Sequence, residues 1–460
     1  MLSRVLERFK KKSAITVMAQ LGLARALDAK WIDELFEQHR ASQYTRELLF
    51  STTVDLMSLV SLGLSPSIHA AAKSMEQELN VSLQSVYNKL NGIEPPVVRA
   101  FVSGSAERLV AVVQALEPKR IATVKGFRLR IVDGNHLAAS EKRLKVLRNF
   151  RGAALPGQSL VVYDPDLGLV VDMLPCEDAH TQERLLMQSI LTKAVPGDLW
   201  LGDRNFCTAP IILGMIERAS HFLIREHAAN PNPRMLTALR RIARIDTGSV
   251  YQQTVSIEDP HGVAHRLRRI EVRLTTPTED GERIIRLLTN VPASKLSAQK
   301  LARLYRRRWK IEMMFQRLES ILQSEIKTLG QPRAALFAFG VSVLAYNVLS
   351  MLLTAVRVQH ANNLAKEQIE LSPYYIAIEI RSNYAGMMIA TEAHDWKHYE
   401  SLSTKEFAKT LLALAANINP RRLRSYPRKP KVAKKKGYVS KQTAQRHVAT
   451  SRVIAAGRIV

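Results

Sequence analysis

The sequence predicts an α/β protein, in which a mixed β-sheet with a β-rich insertion lies between two helical regions. From residue 127 to residue 225, short apolar runs alternate with segments whose apolar residues recur at helical spacing. Residues 226–295 are rich in Arg and alternate between apolar and polar positions, as half-buried strands do. Helical spacing dominates before residue 120 and again after residue 297. With 460 residues, 46% of them hydrophobic, the chain can bury a core and form about two to four structural units.

Residues 1–120 are predicted to form a helical N-terminal domain. Apolar residues recur at helical spacing in residues 23–35 and 48–62. Ser82 precedes a further helical segment, whose polar side chains at 84, 85 and 88 would face outward. Together with residues 68–79, this segment fits a helix-turn-helix that reads DNA, and it fits an ordinary helical hairpin equally well.

Residues 121–225 are predicted to form the first part of a mixed α/β core, which residues 296–358 complete. The predicted order is strand 127–133, strand 159–163, strand 169–174, helix 179–192, strand 199–203, helix 210–219 and strand 222–225. This order indicates a mixed sheet with helices packed on its faces. In the β-rich insertion, strands are predicted at residues 250–257, 267–274 and 283–289.

Residues 336–356 contain no charged side chain and are long enough to span a membrane as a helix. The segment also carries polar side chains such as Ser342, Asn347 and Thr354, and no second segment of the sequence resembles a span. A helix that is apolar on all sides can equally be the central helix of a large soluble protein. We therefore predict a buried helix, followed by a helical C-terminal region over residues 359–420.

The chain is strongly basic, with 67 Lys and Arg residues against 41 Asp and Glu residues and a formal net charge of +26. A charge of this sign favours a polyanionic partner, either nucleic acid or an anionic membrane surface. Residues 421–460 hold 13 Lys and Arg residues and no acidic residue, which predicts a disordered arm that contacts phosphates without reading bases. The two Cys residues are too few for a disulfide framework and fit a reducing compartment such as the cytoplasm.

Two aspartates are predicted to end strands of the core. Asp133 closes the apolar run that begins at Phe127, and Asp203 closes the run that begins at Asp198. A carboxylate at a strand end lies at the rim of a sheet, where ligand sites tend to form. Because Asp is also a common turn residue, either aspartate alone would indicate little.

A helix around residue 310 supplies a third carboxylate. At about 100° per residue, Tyr305, Arg308, Glu312 and Glu319 lie within about 60° of one another on one polar face. A surface helix with an Arg308–Glu312 ion pair would show the same pattern. Three carboxylates from two strands and a helix can instead hold two divalent cations, and Mg²⁺ prefers such oxygen ligands. The combination predicts a catalytic metal site at Asp133, Asp203 and Glu312.

At these residues the chain resembles the DDE transposases of bacterial insertion sequences, specifically insertion-sequence family four. The signature of that family is Tyr, two residues, Arg, three residues, Glu, six residues and Lys, and Tyr305, Arg308 and Glu312 match its first three members. Asp133-Gly134 matches the first catalytic motif and residues 203–206 match the second. The resemblance extends from residue 127 to residue 356, about half of the chain.

The resemblance implies a ribonuclease H-like core in which Asp133, Asp203 and Glu312 are the catalytic and metal-binding residues. It implies Mg²⁺ as the cofactor, with Mn²⁺ as a substitute, and DNA contacts by Tyr305, Arg308 and Arg204. The implied partners are double-stranded DNA with terminal inverted repeats, target DNA and a second copy of the chain in a synaptic homodimer. The chain departs from the signature at the position of its Lys, where Glu319 places an anion.

The function implied by the resemblance is that of a transposase, which binds terminal inverted repeats and catalyses metal-dependent strand cleavage and strand transfer. The helical N-terminal domain would bind DNA, and the protein would act in the bacterial cytoplasm at the nucleoid. Two alternatives remain open at this point. One is a ribonuclease H-like nuclease that cuts without joining, and the other is a catalytically inactive DNA-binding remnant.

Overall fold

A computed structural model describes residues 4–45, 47–117, 120–150, 152–278, 281–426 and 447–457. Within these residues, a ten-stranded sheet forms the middle of the chain and helices precede and follow it. The mixed α/β fold that the sequence predicts is therefore confirmed.

The N-terminal region is helical, in agreement with its apolar spacing. Its helices are α1 (Arg4–Lys12), α2 (Ala14–Ala26), α3 (Ala29–His39), α4 (Phe50–Ser61), α5 (Ile68–Ser74), α6 (Glu76–Leu79), α7 (Leu83–Gly92) and α8 (Pro95–Leu116). The side chains of Asp28, Ser67 and Ser82 each accept a hydrogen bond from a backbone N–H three residues ahead, and so begin α3, α5 and α7. Helices α5 to α7 cover the candidate helix-turn-helix, and its binding to DNA stays a prediction.

The strands of the central region follow the predicted order, with helices between the later ones. They are β1 (Arg128–His136), β2 (Ala154–Leu155), β3 (Gln158–Asp164), β4 (Leu169–Cys176), β5 (Asp198–Gly202) and β6 (His221–Arg225), with α9 (Glu183–Leu191) before β5 and α10 (Ala209–Glu217) before β6. Strands β1, β5 and β6 are parallel neighbours, whereas β3 pairs antiparallel with both β1 and β4. This half of the sheet holds the predicted site.

The β-rich insertion extends the same sheet. It consists of β7 (Arg234–Met235), β8 (Arg240–Ile245), β9 (Gly248–Glu258), β10 (Ala264–Leu274) and β11 (Ile284–Thr289). Strand β11 pairs antiparallel with β6, which gives the order β4-β3-β1-β5-β6-β11-β10-β9-β7, with β8 also paired to β9. The insertion is therefore continuous with the core through main-chain hydrogen bonds.

Helices resume after the sheet. They are α11 (Ala298–Tyr305), α12 (Trp309–Ile321), α13 (Pro332–Gln359), α14 (Ala361–Glu367), α15 (Pro373–Ala390), α16 (Ala393–Glu400) and α17 (Thr404–Ala415). A 3₁₀ turn, Arg306–Arg308, joins α11 to α12. The helix that the sequence predicts around residue 310 is thus interrupted by one tighter turn.

The apolar helix α13 is the central helix of the fold, as predicted. Its length and composition would allow a membrane span, but 94% of its most apolar stretch is buried inside the protein. Its polar side chains have specific partners on the edge strand β4: Asn347 donates to the carbonyl of Val170 and accepts from the N–H of Val170, each at 2.8 Å. The side chain thereby satisfies backbone groups that an edge strand would otherwise leave unpaired.

Two hydrophobic layers enclose the sheet. One face packs in a single cluster with α13, the N-terminal helices and the C-terminal helices, and the other face packs on α9 and α10. The side chains of β1 alternate between these layers, with Ile131 in the first and Val132 in the second. Because the N-terminal helices share their core with α13, they are not packed as a separate unit.

The C-terminal segment differs in part from its prediction as a disordered arm. Residues 427–446 lie outside the described residues, but residues 447–457 form β12 (Val448–Ala449) and α18 (Thr450–Gly457). Strand β12 pairs in parallel with β2, and Arg452 forms an ion pair with Asp178 at 2.8 Å. Val453 packs against Leu147 and Ala154. These apolar contacts explain the order, which the basic composition of the segment does not predict.

Candidate functional site

The pairing of β1 with β5 brings Asp133 and Asp203 together. The parallel register aligns Ile131 with Leu201, so that Asp133 and Asp203, two residues further along, are level with each other. Neighbouring strands lie about 4.8 Å apart, and side chains two residues apart on a strand point to the same face. Ile131 and Leu201 both face the cluster that contains α13. The two carboxylates therefore lie side by side on that face, at the C-terminal edge of the parallel strands.

The predicted end of the first strand is wrong. Strand β1 continues past Asp133 to His136, because its backbone remains paired with β3, with Asn135 opposite Ser159. Asp203, in contrast, directly follows β5 as predicted. Its Oδ1 accepts a hydrogen bond from the N–H of Asn205 at 2.8 Å, which fixes the turn after the strand. Asp133 is thus held in a strand, and Asp203 at the start of a turn.

Glu312 reaches Asp133 through Arg308. The guanidinium Nη1 of Arg308 donates to Oδ2 of Asp133 at 3.1 Å, and its Nη2 donates to Oε1 of Glu312 at 2.6 Å. The Arg308–Glu312 pair that an ordinary surface helix would contain is therefore present, but the same guanidinium also binds a carboxylate of the sheet. All three side chains are largely buried, between 17% and 28% exposed.

The surroundings of Asp133 favour its neutral form. Burial is the main reason that the pKa of this carboxyl is raised to about 7. The Arg308 guanidinium lowers this pKa, whereas the carboxylates of Asp203 and Glu183 raise it further. A buried acid with too few cations around it is a common feature of functional sites, because a bound cation would relieve the repulsion.

Glu183 and Asn205 lie beside these carboxylates; the sequence did not single out Glu183, and it included Asn205 only as a member of the 203–206 motif. The carboxylate of Glu183 lies against Gly134, and its Oε2 accepts a hydrogen bond from Nδ2 of Asn205 at 3.4 Å. In the sequence, Glu183 is an acid in the first turn of a helix, a position that acids commonly occupy near the helix dipole. From the sequence, Glu183 therefore indicates only the start of a helix. Its position beside Asp133 depends on how α9 packs on the sheet.

The predicted DNA contacts lie around this centre. Tyr305 ends α11, and burial raises the pKa of its phenol to about 12, so it stays a hydrogen-bond donor. The side chain of Arg204 is more than half exposed, and its Nη1 lies 3.6 Å from Oε1 of Glu282. Glu319 is exposed on α12, and none of the ion pairs among the described residues includes it.

A cleft of about 730 Å³ opens beside the carboxylates. Glu183 and Asn205 line it on the side of the site, and its other walls include His136, Arg184 and Arg204. His447, which precedes β12, also lines the cleft, so the docked C-terminal segment forms part of its wall. The cleft offers both acidic and basic groups to a ligand that reaches the site.

Asp133, Asp203 and Glu312 are chemically suited to bind a divalent cation, but Arg308 is bonded to two of these carboxylates. Carboxylate oxygens are the ligands that Mg²⁺ and similar hard cations prefer. In the part of the chain that the structure describes, however, no three His, Cys, Asp or Glu side chains are grouped as a metal site. At Asp133 and Glu312, Arg308 occupies one oxygen of each carboxylate. A cation between these two carboxylates would have to replace the guanidinium.

Comparison with known proteins agrees with this geometry. Residues 126–348 match the family model described as the transposase DDE domain, a stretch that contains Asp133, Asp203 and Glu312. No curated protein matches the chain. Enzymes of the DDE type act on DNA and generally use divalent metal ions. Residues 126–348, just under half of the chain, are thus similar to the DDE domain of transposases.

Proposed function

We propose that this protein is the transposase of a family-four insertion sequence, which binds the terminal inverted repeats of its element and cleaves and joins DNA strands. The observation that carries the proposal is the position of Asp133, which lies beside Asp203 and shares the guanidinium of Arg308 with Glu312. The β1–β5 register aligns Asp133 with Asp203, and Arg308 links Asp133 to Glu312. The catalytic centre would lie in a ribonuclease H-like core, to which the parallel strands and α12 belong.

The three carboxylates would bind Mg²⁺, or Mn²⁺ in its place. Two such ions supply activation of the attacking oxygen and stabilisation of the leaving oxygen in phosphoryl transfer. The chain itself fixes the carboxylates: Asp133 accepts from the N–H of Gly134 at 3.1 Å, and Asp203 accepts from the N–H of Asn205. These backbone contacts hold one oxygen of each aspartate in a defined direction.

Arg308 would control access to these oxygens. A guanidinium binds phosphate oxygens in the same paired geometry in which it binds carboxylates. When a DNA phosphate approaches, Arg308 can exchange its hydrogen bonds to Asp133 and Glu312 for bonds to the phosphate. That exchange frees the carboxylate oxygens to bind metal ions. DNA binding and metal binding would therefore be coupled through Arg308.

The wider surface supports a DNA partner. The chain has a net charge of +26, and the exposed basic groups near the site include Arg204, Arg306 and Arg307. Tyr305 and Arg308 would contact phosphate near the cleaved end, together with Arg204. We further propose that two copies act together in a synaptic complex, in the bacterial cytoplasm at the nucleoid.

A strand-cleavage and strand-joining assay tests the proposal. The substrate is a duplex made from the DNA that flanks the coding region, with supercoiled plasmid as target, in Mg²⁺ or in chelator. We expect cleavage followed by joining in Mg²⁺, neither in chelator, and neither with D203N. The matched control is E217Q, which changes an exposed acid on α10 that lies outside the site.

Each other outcome would identify an alternative function. Cleavage without joining would indicate a nuclease, because only a transposase uses the freed 3′-hydroxyl as a nucleophile. Specific binding of the repeats without metal-dependent cleavage would indicate a DNA-binding remnant. Cleavage that persists in excess chelator would contradict the role of the carboxylates as metal ligands.

A further inference from the structure

Position 134 requires a glycine because the carboxylate of Glu183 packs directly against its backbone. The residue does not have a positive φ, so its backbone conformation would accept another residue. A Cβ at this position, however, would overlap the carboxylate of Glu183 and would come within 2.8 Å of its Cγ. The strand that carries Asp133 therefore lacks a side chain at the one position where Glu183 approaches it.

The side-chain alternation of β1 explains the direction of this approach. Asp133 points to the face that α12 covers, and Gly134 would point to the opposite face, on which α9 packs. Glu183 is the first residue of α9. Because Gly134 has no side chain, the carboxylate of Glu183 reaches the strand beside Asp133, beyond the point where β5 has ended.

Asn205 joins Glu183 to the other aspartate. Its side-chain Nδ2 donates to Glu183 at 3.4 Å, and its backbone N–H donates to Asp203 at 2.8 Å. One residue of the second motif thus holds two carboxylates at once. Both Gly134 and Asn205, which follow the two aspartates closely in the chain, contact Glu183.

The loop that leads into α9 is itself anchored to the sheet. The His136 Nε2 lies 3.1 Å from the carbonyl of Ala179, and Gln158 Nε2 donates to the carbonyls of Asp178 and Thr181. These contacts join the loop to the ends of β1 and β3. The start of α9, and with it the backbone of Glu183, is therefore fixed relative to Asp133.

Glu183 and Asp203 also lack a cationic partner. Among the ion pairs of the described residues, Arg308 serves Asp133 and Glu312, and none includes Glu183 or Asp203. Carboxylates that share a site without a cation repel one another. A divalent cation would relieve such repulsion between Glu183 and the two aspartates.

We propose that Glu183 is a fourth carboxylate of the active site, which binds a divalent cation together with Asp133 and Asp203. Gly134 and Asn205 are positioning residues for it: the first leaves room for its carboxylate, and the second orients it toward Asp203. This inference rests on the proposed function, because it assigns a further ligand to the same metal-dependent site.

Metal binding to the full-length protein without DNA tests the assignment. Mn²⁺ is titrated by calorimetry and by electron paramagnetic resonance, for the parent, E183Q and the control E217Q. We expect E183Q to bind Mn²⁺ about tenfold more weakly or worse, as losses around metal sites commonly are, and E217Q to bind as the parent does. Equal affinity of E183Q and E217Q would overturn the assignment.

Thermal unfolding separates a ligand from a structural residue. In chelator, E183Q should melt at the same temperature as the parent or higher, because it removes one of several repelling charges. The rise in Tm that Mn²⁺ causes should be smaller for E183Q than for the parent. A lower Tm in chelator, with an undiminished rise in Mn²⁺, would show that Glu183 only supports the fold.

The variant G134A displaces the carboxylate without removing it. The obstructing atoms belong to the end of a flexible side chain, so we expect G134A to fold and to rotate Glu183 away. Its affinity for Mn²⁺ should fall as in E183Q, and G134A combined with E183Q should be no weaker than E183Q alone. Additive losses in the double variant would contradict the proposed link between the two residues.

The variants D133N and D203N distinguish this inference from the proposed function. If both bind Mn²⁺ as the parent does, the metal site of the proposed function is wrong, and Glu183 loses its role with it. If both weaken binding and E183Q does not, only the assignment of Glu183 is wrong.

Discussion

Two carboxylates of the sheet, Asp133 in one half and Glu271 in the other, have opposite surroundings. In the half with the parallel strands, Asp133 shares Arg308 with Glu312, and burial raises its pKa to about 7. In the insertion half, burial would likewise raise the pKa of Glu271 on β10, but hydrogen bonds from Arg273 and Arg286 outweigh burial and lower it. A carboxylate with two cations of its own is a structural group, whereas one that lacks cations is suited to bind a metal ion.

The arginines of the insertion half fall into two groups, those paired with an acid and those without an ion pair among the described residues. Arg269 pairs with Glu226 at 2.7 Å and Arg273 pairs with Glu271 at 2.8 Å, so their charges are neutralised within the protein. The exposed arginines of β8 have no ion pair among those of the described residues; they are Arg240, Arg241 and Arg244. The comparison therefore predicts chemistry in one half of the sheet and a phosphate-binding surface in the other.

The largest expected effect separates the two kinds of carboxylate. D133N and E312Q should each slow strand cleavage by about a thousandfold or more, with DNA affinity within about threefold, because each removes a ligand oxygen that acts in the transition state. E271Q should leave cleavage at saturating DNA unchanged and lower the Tm instead. Single-turnover cleavage and calorimetry on the three variants check this contrast, which equal cleavage rates in all three would contradict.

The second prediction concerns the β8 arginines. The triple variant R240A/R241A/R244A should bind all DNA sequences more weakly, with a dependence of log K on log salt that is shallower by about one for each lost phosphate contact. The matched control is R40A/R120A/R143A, whose arginines each pair with a nearby acid. Binding titrations at several salt concentrations measure both slopes, and equal slopes would mean that total charge alone matters.

The third prediction concerns pH and the metal-free protein. Because the folded pKa of Asp133 is above its unfolded value of 3.8, the folded state holds the extra proton, and its stability falls as pH rises toward and through about 7. The slope is at most about 1.4 kcal/mol per pH unit. Glu271 behaves oppositely, since its lowered pKa gives stability that is present above its usual value and lost as pH falls through the folded value.

Denaturant unfolding in chelator from pH 3 to pH 8 measures both contributions. D133N should flatten the loss of stability between pH 5 and pH 8, and E271Q should flatten the loss on the acid side. If D133N retained the parental slope between pH 5 and pH 8, the carboxyl of Asp133 would not be the group that titrates there.

The smallest expected effect concerns the departure from the family signature. E319K should tighten binding to cleaved repeat ends by a few-fold, because lysine can donate a charge-assisted hydrogen bond to phosphate where a carboxylate repels it. The Tm should not change, since Glu319 forms none of the ion pairs among the described residues. The control E400K adds the same charge on α16. Equal gains in affinity for both variants would show that residue 319 does not face the DNA end.

Much of the sheet could be predicted from the sequence, because strand patterns report local burial. The strand expected at residues 267–274 appears as β10 at Ala264–Leu274, and the one at residues 250–257 appears as β9. The end of β1 could not be predicted, because it depends on β3, a neighbour that continues after β5 has ended. The order of residues 447–457 likewise depends on contacts with Leu147 and Ala154, which are distant in the chain.

The sequence by itself determined which residues we propose for the chemistry: Asp133, Asp203, Glu312 and the basic groups around them follow from motif and spacing. Only the tertiary structure decided how they are arranged. The β1–β5 register sets the two aspartates level, Arg308 joins one of them to Glu312, and Gly134 admits Glu183. The physical reason is that spacing along a chain encodes the face on which a side chain lies, whereas the strand register and the packing of α9 and α12 decide which faces meet.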